Sequence, residues 1–120
     1  MKTRVGIGYD SHRFTAGGPL LLGGVRIPAD VSLVGHSDAD AVAHAITDAV
    51  LGAAAAGDIG ALFPDNDQAN RNRDSIDMLR AAVSAIHALG FTVANIAVTV
   101  IAERPRIGPY VPAMCERLAD

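Results

Sequence analysis

Tryptophan is missing from this chain, and only two Tyr and three Phe are present, so its core must be built from Ala, Val, Ile and Leu. A single cysteine, Cys115, excludes an intrachain disulfide and suits a reducing compartment. With no partner at ligand spacing, that thiol reads as a small buried hydrophobe. No basic run occurs and the formal charge is −3, which argues against nucleic acid or a membrane surface as partner. An anionic ligand would therefore need local positive charge from a metal, from helix N-termini or from a few arginines. Gly and charge interrupt every apolar run, so neither a signal peptide nor a membrane span is expected. Half of the 120 residues are hydrophobic, enough for one core, and the expectation is a single cytoplasmic domain.

What the chain does have is concentrated in residues 34–64, VGHSDADAVAHAITDAVLGAAAAGDIGALFP. Ser37 followed three residues on by Asp40 predicts a helix from about Asp38, with Gly57 as its stop. Ala41, Ala45, Ala49 and Gly52 form a small-residue ridge, and Val42, Ile46, Val50 and Leu51 supply bulk. Asp40, His44 and Asp48 follow at i, i+4 spacing and share one stripe. Ionisable groups on a mostly apolar helix are costly unless paired or metal-bound. A partly exposed, mutually satisfied set is the plain alternative.

The N-terminus shifts the balance. Residues 3–9 (TRVGIGY) alternate Val5, Ile7 and Tyr9 on one face and predict a strand ending at Asp10-Ser11-His12. Asp10 and His12, one residue apart, can point the same way from extended backbone. With His44 they make a His/His/Asp set that leaves a fourth coordination position open, as in a catalytic zinc site.

Leu20, Leu21 and Leu22, then Gly23-Gly24, then Val25, Arg26 and Ile27 predict a hairpin with a two-residue turn. Asp58 to Asp67 read as an acidic loop. Asp74-Ser75 should cap a second helix to about Leu89, stopped by Gly90, with His87 favouring the helix dipole and nothing more. Residues 92–102 (TVANIAVTVIA) are β-branched and uncharged, and predict a central strand. Residues 103–108 (ERPRIG) form the loop at its end, 109–112 a turn, and 113–119 a third helix. The element order predicts an α/β chain of the α+β sandwich kind, with a mixed sheet of parallel and antiparallel strands and helices on one face.

GIGYDSH, LLLGGVRIP, VGHSDADAVAHAITDAVLGAAAAGDIGALFPD and VTVIAERPRIGPYVPAM, in that order, resemble the 2-C-methyl-D-erythritol 2,4-cyclodiphosphate synthase family of the non-mevalonate isoprenoid pathway. The likeness covers nearly all of the chain. It implies a lyase that converts 4-diphosphocytidyl-2-C-methyl-D-erythritol 2-phosphate to the cyclic diphosphate. The 2-phosphate oxygen attacks the β-phosphorus and CMP leaves. Such chemistry asks mainly for positioning and charge neutralisation. The resemblance implies zinc, or another divalent transition metal, on Asp10, His12 and His44, and Mg2+ or Mn2+ with the substrate diphosphate. It gives His36 a catalytic role in the transition state, and gives His36 and Ser37, with Asp10 and His12, contacts to substrate. Asp58, Ile59, Gly60, Phe63, Pro64, Asp65, Asn66 and Asp67 would meet the methylerythritol phosphate part. Ala102, Glu103, Arg104, Pro105, Arg106, Ile107 and Gly108 would line the cytidine diphosphate pocket. Spacing nominates Asp40 and Asp48 as the residues that fix the His44 tautomer.

The family also implies a homotrimer with active sites between subunits, its sheets packed around a threefold axis. Family members continue past the position of Asp120 through a further strand and helix that help bind diphosphate and cytidine. Residues 1–120 are therefore expected to form one cyclodiphosphate synthase domain lacking that strand and helix. Two other readings of the same ligand set are a zinc-dependent phosphoesterase, which would activate water in the open position, and a non-catalytic metal-binding assembly module.

Overall fold

In chain order the elements are β1 (Phe14–Ala16), β2 (Leu20–Leu22), β3 (Val25–Ile27), β4 (Val31–Leu33), α1 (Ala41–Ala53), α2 (Ile59–Leu62), α3 (Ser75–Ala88) and α4 (Val111–Ala119), with one 3₁₀ turn at Gly108–Tyr110. The computed structural model describes residues 3–35, 38–63 and 74–119. Gly23 and Gly24 take φ of 58° and 75°, the left-handed pair required by a two-residue hairpin. β2 and β3 accordingly pair antiparallel, Leu20 opposite Ile27 and Leu22 opposite Val25. A second antiparallel ladder sets Phe14 of β1 against Leu33 of β4. The class is α+β. Instead of one mixed sheet, the described residues form these two small antiparallel ladders.

Helix α1 starts three residues later than Ser37 and Asp38 suggested. Its N-cap is Asp40, whose Oδ1 accepts the Ala43 N–H at 3.1 Å. The same carboxylate accepts the N–H groups of Gly23 and Gly24 at 2.8 and 2.7 Å, so one buried acid ties the hairpin turn to the helix start. The exit differs too. Ala55 takes the left-handed position, at φ 54°, that was expected of Gly57. Ala55 N–H reaches Gly52 C=O and Ala56 N–H reaches Leu51 C=O, which completes a Schellman motif. α3 follows its sequence signals closely. Asp74 caps it through the Ile76 N–H, and Gly90 ends it at φ 89°.

Leu20, Leu22 and Ile27 of the hairpin meet Val42, Ile46, Val50 and Leu51 of α1 and Leu79, Ala82 and Ile86 of α3, with Met114 closing the cluster. This is the aliphatic core that the shortage of aromatics demanded, and each fully buried Leu or Ile contributes about 1.5–3 kcal/mol.

Residues 3–9 and 92–102 are not strands. Neither is paired in a ladder with a described neighbour. Their apolar alternation specifies backbone ready to pair, whereas a ladder also requires a partner alongside. Val5, Ile7, Tyr9 and Ile101 point outward, each more than 80% exposed. The glycine face of the first segment, Gly6 and Gly8, lies instead on the α1 backbone at Ala45, Ala49 and Ala53. The small-residue ridge is thus a seat for the glycines of the N-terminal segment. Cys115, expected to be buried, is exposed on α4 because that short helix buries only Met114. α4 begins at Val111, with Pro112 in its first turn where no N–H is needed.

Candidate metal centre

The seating of Gly6 and Gly8 on α1 carries the following residues, Asp10 and His12, to the flank of His44. His12 Nε2 lies 2.6 Å from Asp10 Oδ2, and His44 Nδ1 lies 3.4 Å from the same oxygen. The two imidazole rings are tilted by 53° with centroids 5.5 Å apart. All three donor atoms fall within 4.8 Å of one another. Side-chain exposure is 13% for His12, 12% for His44 and 25% for Asp10, so the group is mostly screened yet reachable.

Each ring is held from behind. His12 Nδ1 lies 2.6 Å from the Val34 carbonyl, an acceptor only, so Nδ1 carries the proton there. Val34 N–H in turn donates to Arg13 C=O, clamping the loop that bears Asp10 and His12 onto the end of β4. His44 Nε2 lies 2.7 Å from Ser75 Oγ at the start of α3. Partial burial would raise the Asp10 carboxyl. The hydrogen bond to His44, together with the charge and hydrogen bond of His12, outweighs it and holds the group below its ordinary 3.8. A carboxylate that stays ionised and two imidazole nitrogens aimed at one point form a donor set suited to a divalent cation.

A cleft of about 350 Å³ opens beside this cluster. It is lined by Asp10, Ser11 and His12, by Val98 to Ala102, and by Leu20, Leu22, Ala41, Val42 and Ala45. Ala102 thus shares the cleft with the metal-type residues, while Glu103, Arg104, Arg106 and Gly108 stand exposed on the loop beyond it. Asp58 caps the four-residue α2, a helix where a loop was expected, by accepting the Ala61 N–H at 2.7 Å; Phe63 beyond it is buried. His36, Ser37, Pro64, Asp65, Asn66 and Asp67 lie outside the described residues.

Asp40 and Asp48 do other work than orienting His44. The i, i+4 stripe places them a turn away on either side, but both carboxylates are engaged by backbone N–H groups. Asp40 serves the hairpin and the α1 cap, and Asp48 Oδ1 accepts the Ile59 N–H at 2.6 Å, fixing the start of α2. The contacts behind the histidines come from Val34 and Ser75, the latter backed by Asp38. No local signal marks Ser75 for this, since its sequence role as the opening of α3 is complete in itself.

The sequence profile of the YgbB family matches residues 3–120. The chain belongs to the YgbB family. A protein of Gemmatimonas aurantiaca named 2-C-methyl-D-erythritol 2,4-cyclodiphosphate synthase is 60% identical over 116 residues, covering 97% of this chain and 70% of that protein. One of the same name from Laribacter hongkongensis is 55% identical, covering 99% of this chain and 74% of that protein. Among solved structures, a 2C-methyl-D-erythritol-2,4-cyclodiphosphate synthase in its CDP-bound form superposes with a TM-score of 0.91 at 42% identity, over 97% of this chain and 77% of that one. This YgbB chain therefore shares both sequence and fold with cyclodiphosphate synthases. Among its described residues no helix is long and apolar enough to cross a membrane.

Proposed function

We propose that this chain is a 2-C-methyl-D-erythritol 2,4-cyclodiphosphate synthase, a lyase of non-mevalonate isoprenoid biosynthesis. It converts 4-diphosphocytidyl-2-C-methyl-D-erythritol 2-phosphate to the 2,4-cyclodiphosphate and CMP. The convergence of Asp10, His12 and His44, of which Asp10 and His12 also line the cleft, carries the reading. It is supported by relatives of that name at 50–60% identity.

Asp10, His12 and His44 would hold the divalent cation, for which zinc is the choice that suits two imidazoles and one carboxylate. When bound, that ion supplies charge neutralisation and polarisation of a phosphate oxygen. The protein's own part is to gather and orient. The Val34 carbonyl and Ser75 set the two rings, and the ionised Asp10 adds the negative charge that favours a cation. His36 and Ser37 are proposed to contact the phosphates, His36 as the catalytic residue. Asp58, Ile59, Gly60, Phe63 and residues 64–67 are proposed for the methylerythritol phosphate, and 102–108 for the cytidine diphosphate. Mg2+ or Mn2+ would accompany the diphosphate.

A homotrimer around a threefold axis, with sites between subunits, is part of the same proposal. The apolar side chains that residues 3–9 and 92–102 leave outside support an assembly that covers them. The lone thiol suits the cytoplasm, the compartment proposed.

The test is incubation of the protein with zinc, Mg2+ and the diphosphocytidyl substrate, followed by ³¹P NMR. Cyclic diphosphate and CMP in equal amounts are the expected result. Release of phosphate or CMP without cyclisation would identify a phosphoesterase instead, and zinc uptake with no reaction would leave a metal-binding module.

A further inference from the structure

Ser75 is 1% exposed and sits 31 residues after His44 in the sequence, yet it is the contact behind that ring. Its backbone N–H donates to Asp38 Oδ2 at 2.9 Å, and its hydroxyl donates to Asp38 Oδ1. Asp38 is itself set by the Asp40 N–H, 3.2 Å from Oδ1. The donor roles follow by elimination. A carboxylate only accepts, so the Ser75 hydroxyl proton points to Asp38, and Oγ offers His44 a lone pair. His44 Nε2 must then bear the proton. In the neutral form that a metal-ligating imidazole must take, that is its one N–H, which leaves the Nδ1 lone pair on the side of Asp10 and His12.

We propose that Ser75, held by Asp38, is a positioning residue for the metal centre, fixing the tautomer and ring plane of His44 so that Nδ1 is presented to the cation. The inference rests on the metal-binding reading given above. It assigns a task to the first turn of α3, which does not line the cleft. It also makes the seating of that turn and the affinity for metal interdependent, because Asp38 grips the backbone and the hydroxyl of the same residue. His12 is served in the same manner by the Val34 carbonyl, which no side-chain substitution can remove. Ser75 is the supporting group that mutagenesis can reach.

The experiment is competition for zinc between the loaded protein and a chromophoric chelator, on the native chain, Ser75→Ala, Ser75→Thr, Asp38→Asn and Asp74→Ala. Ser75→Ala is expected to weaken zinc binding by roughly 10–100-fold, the usual effect of removing a group that orients a ligating histidine. Ser75→Thr keeps the hydroxyl and should restore close to native affinity. Asp38→Asn retains the hydroxyl of Ser75 but can turn its proton toward His44 through the new amide donor, and should weaken zinc without deleting any atom at position 75. Asp74→Ala removes the cap on the Ile76 N–H in the same turn. It should lower the thermal midpoint and leave zinc affinity unchanged. Native-strength zinc binding by Ser75→Ala, or an equal loss in Asp74→Ala, would overturn the assignment while leaving the metal site standing. If the native chain takes up no zinc at one per subunit, the metal reading fails first and this inference with it.

Discussion

Gly8 lies flat against α1 at Ala45: a Cβ on Gly8 would overlap the Ala45 carbonyl oxygen, and one on Gly6 would do the same at Ala49. Asp10 and His12 come within reach of His44 because no side chain intervenes along this contact. Gly8→Ala should therefore lift the segment from the helix. The expected cost is about 1–3 kcal/mol of stability, as for other overpacked sites, together with a fall in zinc affinity. Thermal unfolding and chelator competition check the pair of effects, and the Gly8→Ala chain behaving like the native one in both would contradict this account of the site.

Direct removal of a ligand should be harsher than removal of a group behind it. Asp10→Asn or His44→Ala is expected to lose zinc by more than the roughly 100-fold upper figure for supporting residues. Dialysis against a chelator should abolish CMP release, and restored zinc should recover it in the native chain alone.

Asp40 accepts three backbone N–H groups while wholly buried. Burial pushes its carboxyl above the ordinary 3.8, although those N–H groups pull the other way. The folded chain thus holds this proton to higher pH than the unfolded chain does. The resulting stabilisation is complete below the unfolded value and is lost as pH rises through the folded one. The difference in unfolding free energy between the native chain and Asp40→Asn, followed by urea melts from acid upward, should accordingly shrink with rising pH. Asp40→Ala leaves three donors without their acceptor, at about 1–3 kcal/mol each, and should be severely destabilised at any pH.

Asp48 offers a cleaner separation of roles. Its carboxylate holds the Ile59 N–H, the first amide of α2. If Asp58, Ile59 and Gly60 meet the substrate, Asp48→Ala should raise KM by roughly tenfold, since losing a hydrogen bond to a charged group costs about 1.5–3 kcal/mol. Zinc affinity should be unaltered. Loss of zinc in this variant would restore the sequence-based view of Asp48 as a partner of His44.

Ala55 sits at φ 54° in the Schellman turn after α1. A left-handed alanine costs about 1–2 kcal/mol, and glycine returns about 0.4–1 kcal/mol of that through the freer unfolded chain. Ala55→Gly should thus gain about 0.5 kcal/mol, visible as a thermal midpoint a few degrees higher, with zinc binding as before.

Elements signalled by a few adjacent residues were legible. Gly23-Gly24 announced the hairpin, Asp74 and Gly90 the two ends of α3, and Ala45 with Ala49 a surface for close approach. Where two local signals competed, the choice was hidden. Ser37 was expected to cap α1 with Asp40 as its first-turn acid, but Asp40 is itself the cap, and two amides of the hairpin turn converge on the same carboxylate. Likewise Gly57 was the better residue for a left-handed stop, yet the helix closes at Ala55, through the Ala55 and Ala56 N–H bonds to Gly52 and Leu51. The β-branched run 92–102 was misread as a paired strand since alternation and branching describe one chain and say nothing about who lies beside it.

The sequence by itself determined the aliphatic core, the amphipathic helices and the three metal-type residues, and its ordered motifs pointed to the family. Periodicity, capping chemistry and ligand type are properties of short stretches, and they survive being read one stretch at a time. Tertiary structure alone decided which nitrogen of each histidine faces the other two metal-type residues. That choice belongs to the Val34 carbonyl, 22 residues from His12, and to Ser75, 31 residues from His44. An imidazole that offers one nitrogen to a metal keeps its proton on the other, and only the folded chain brings that proton an acceptor.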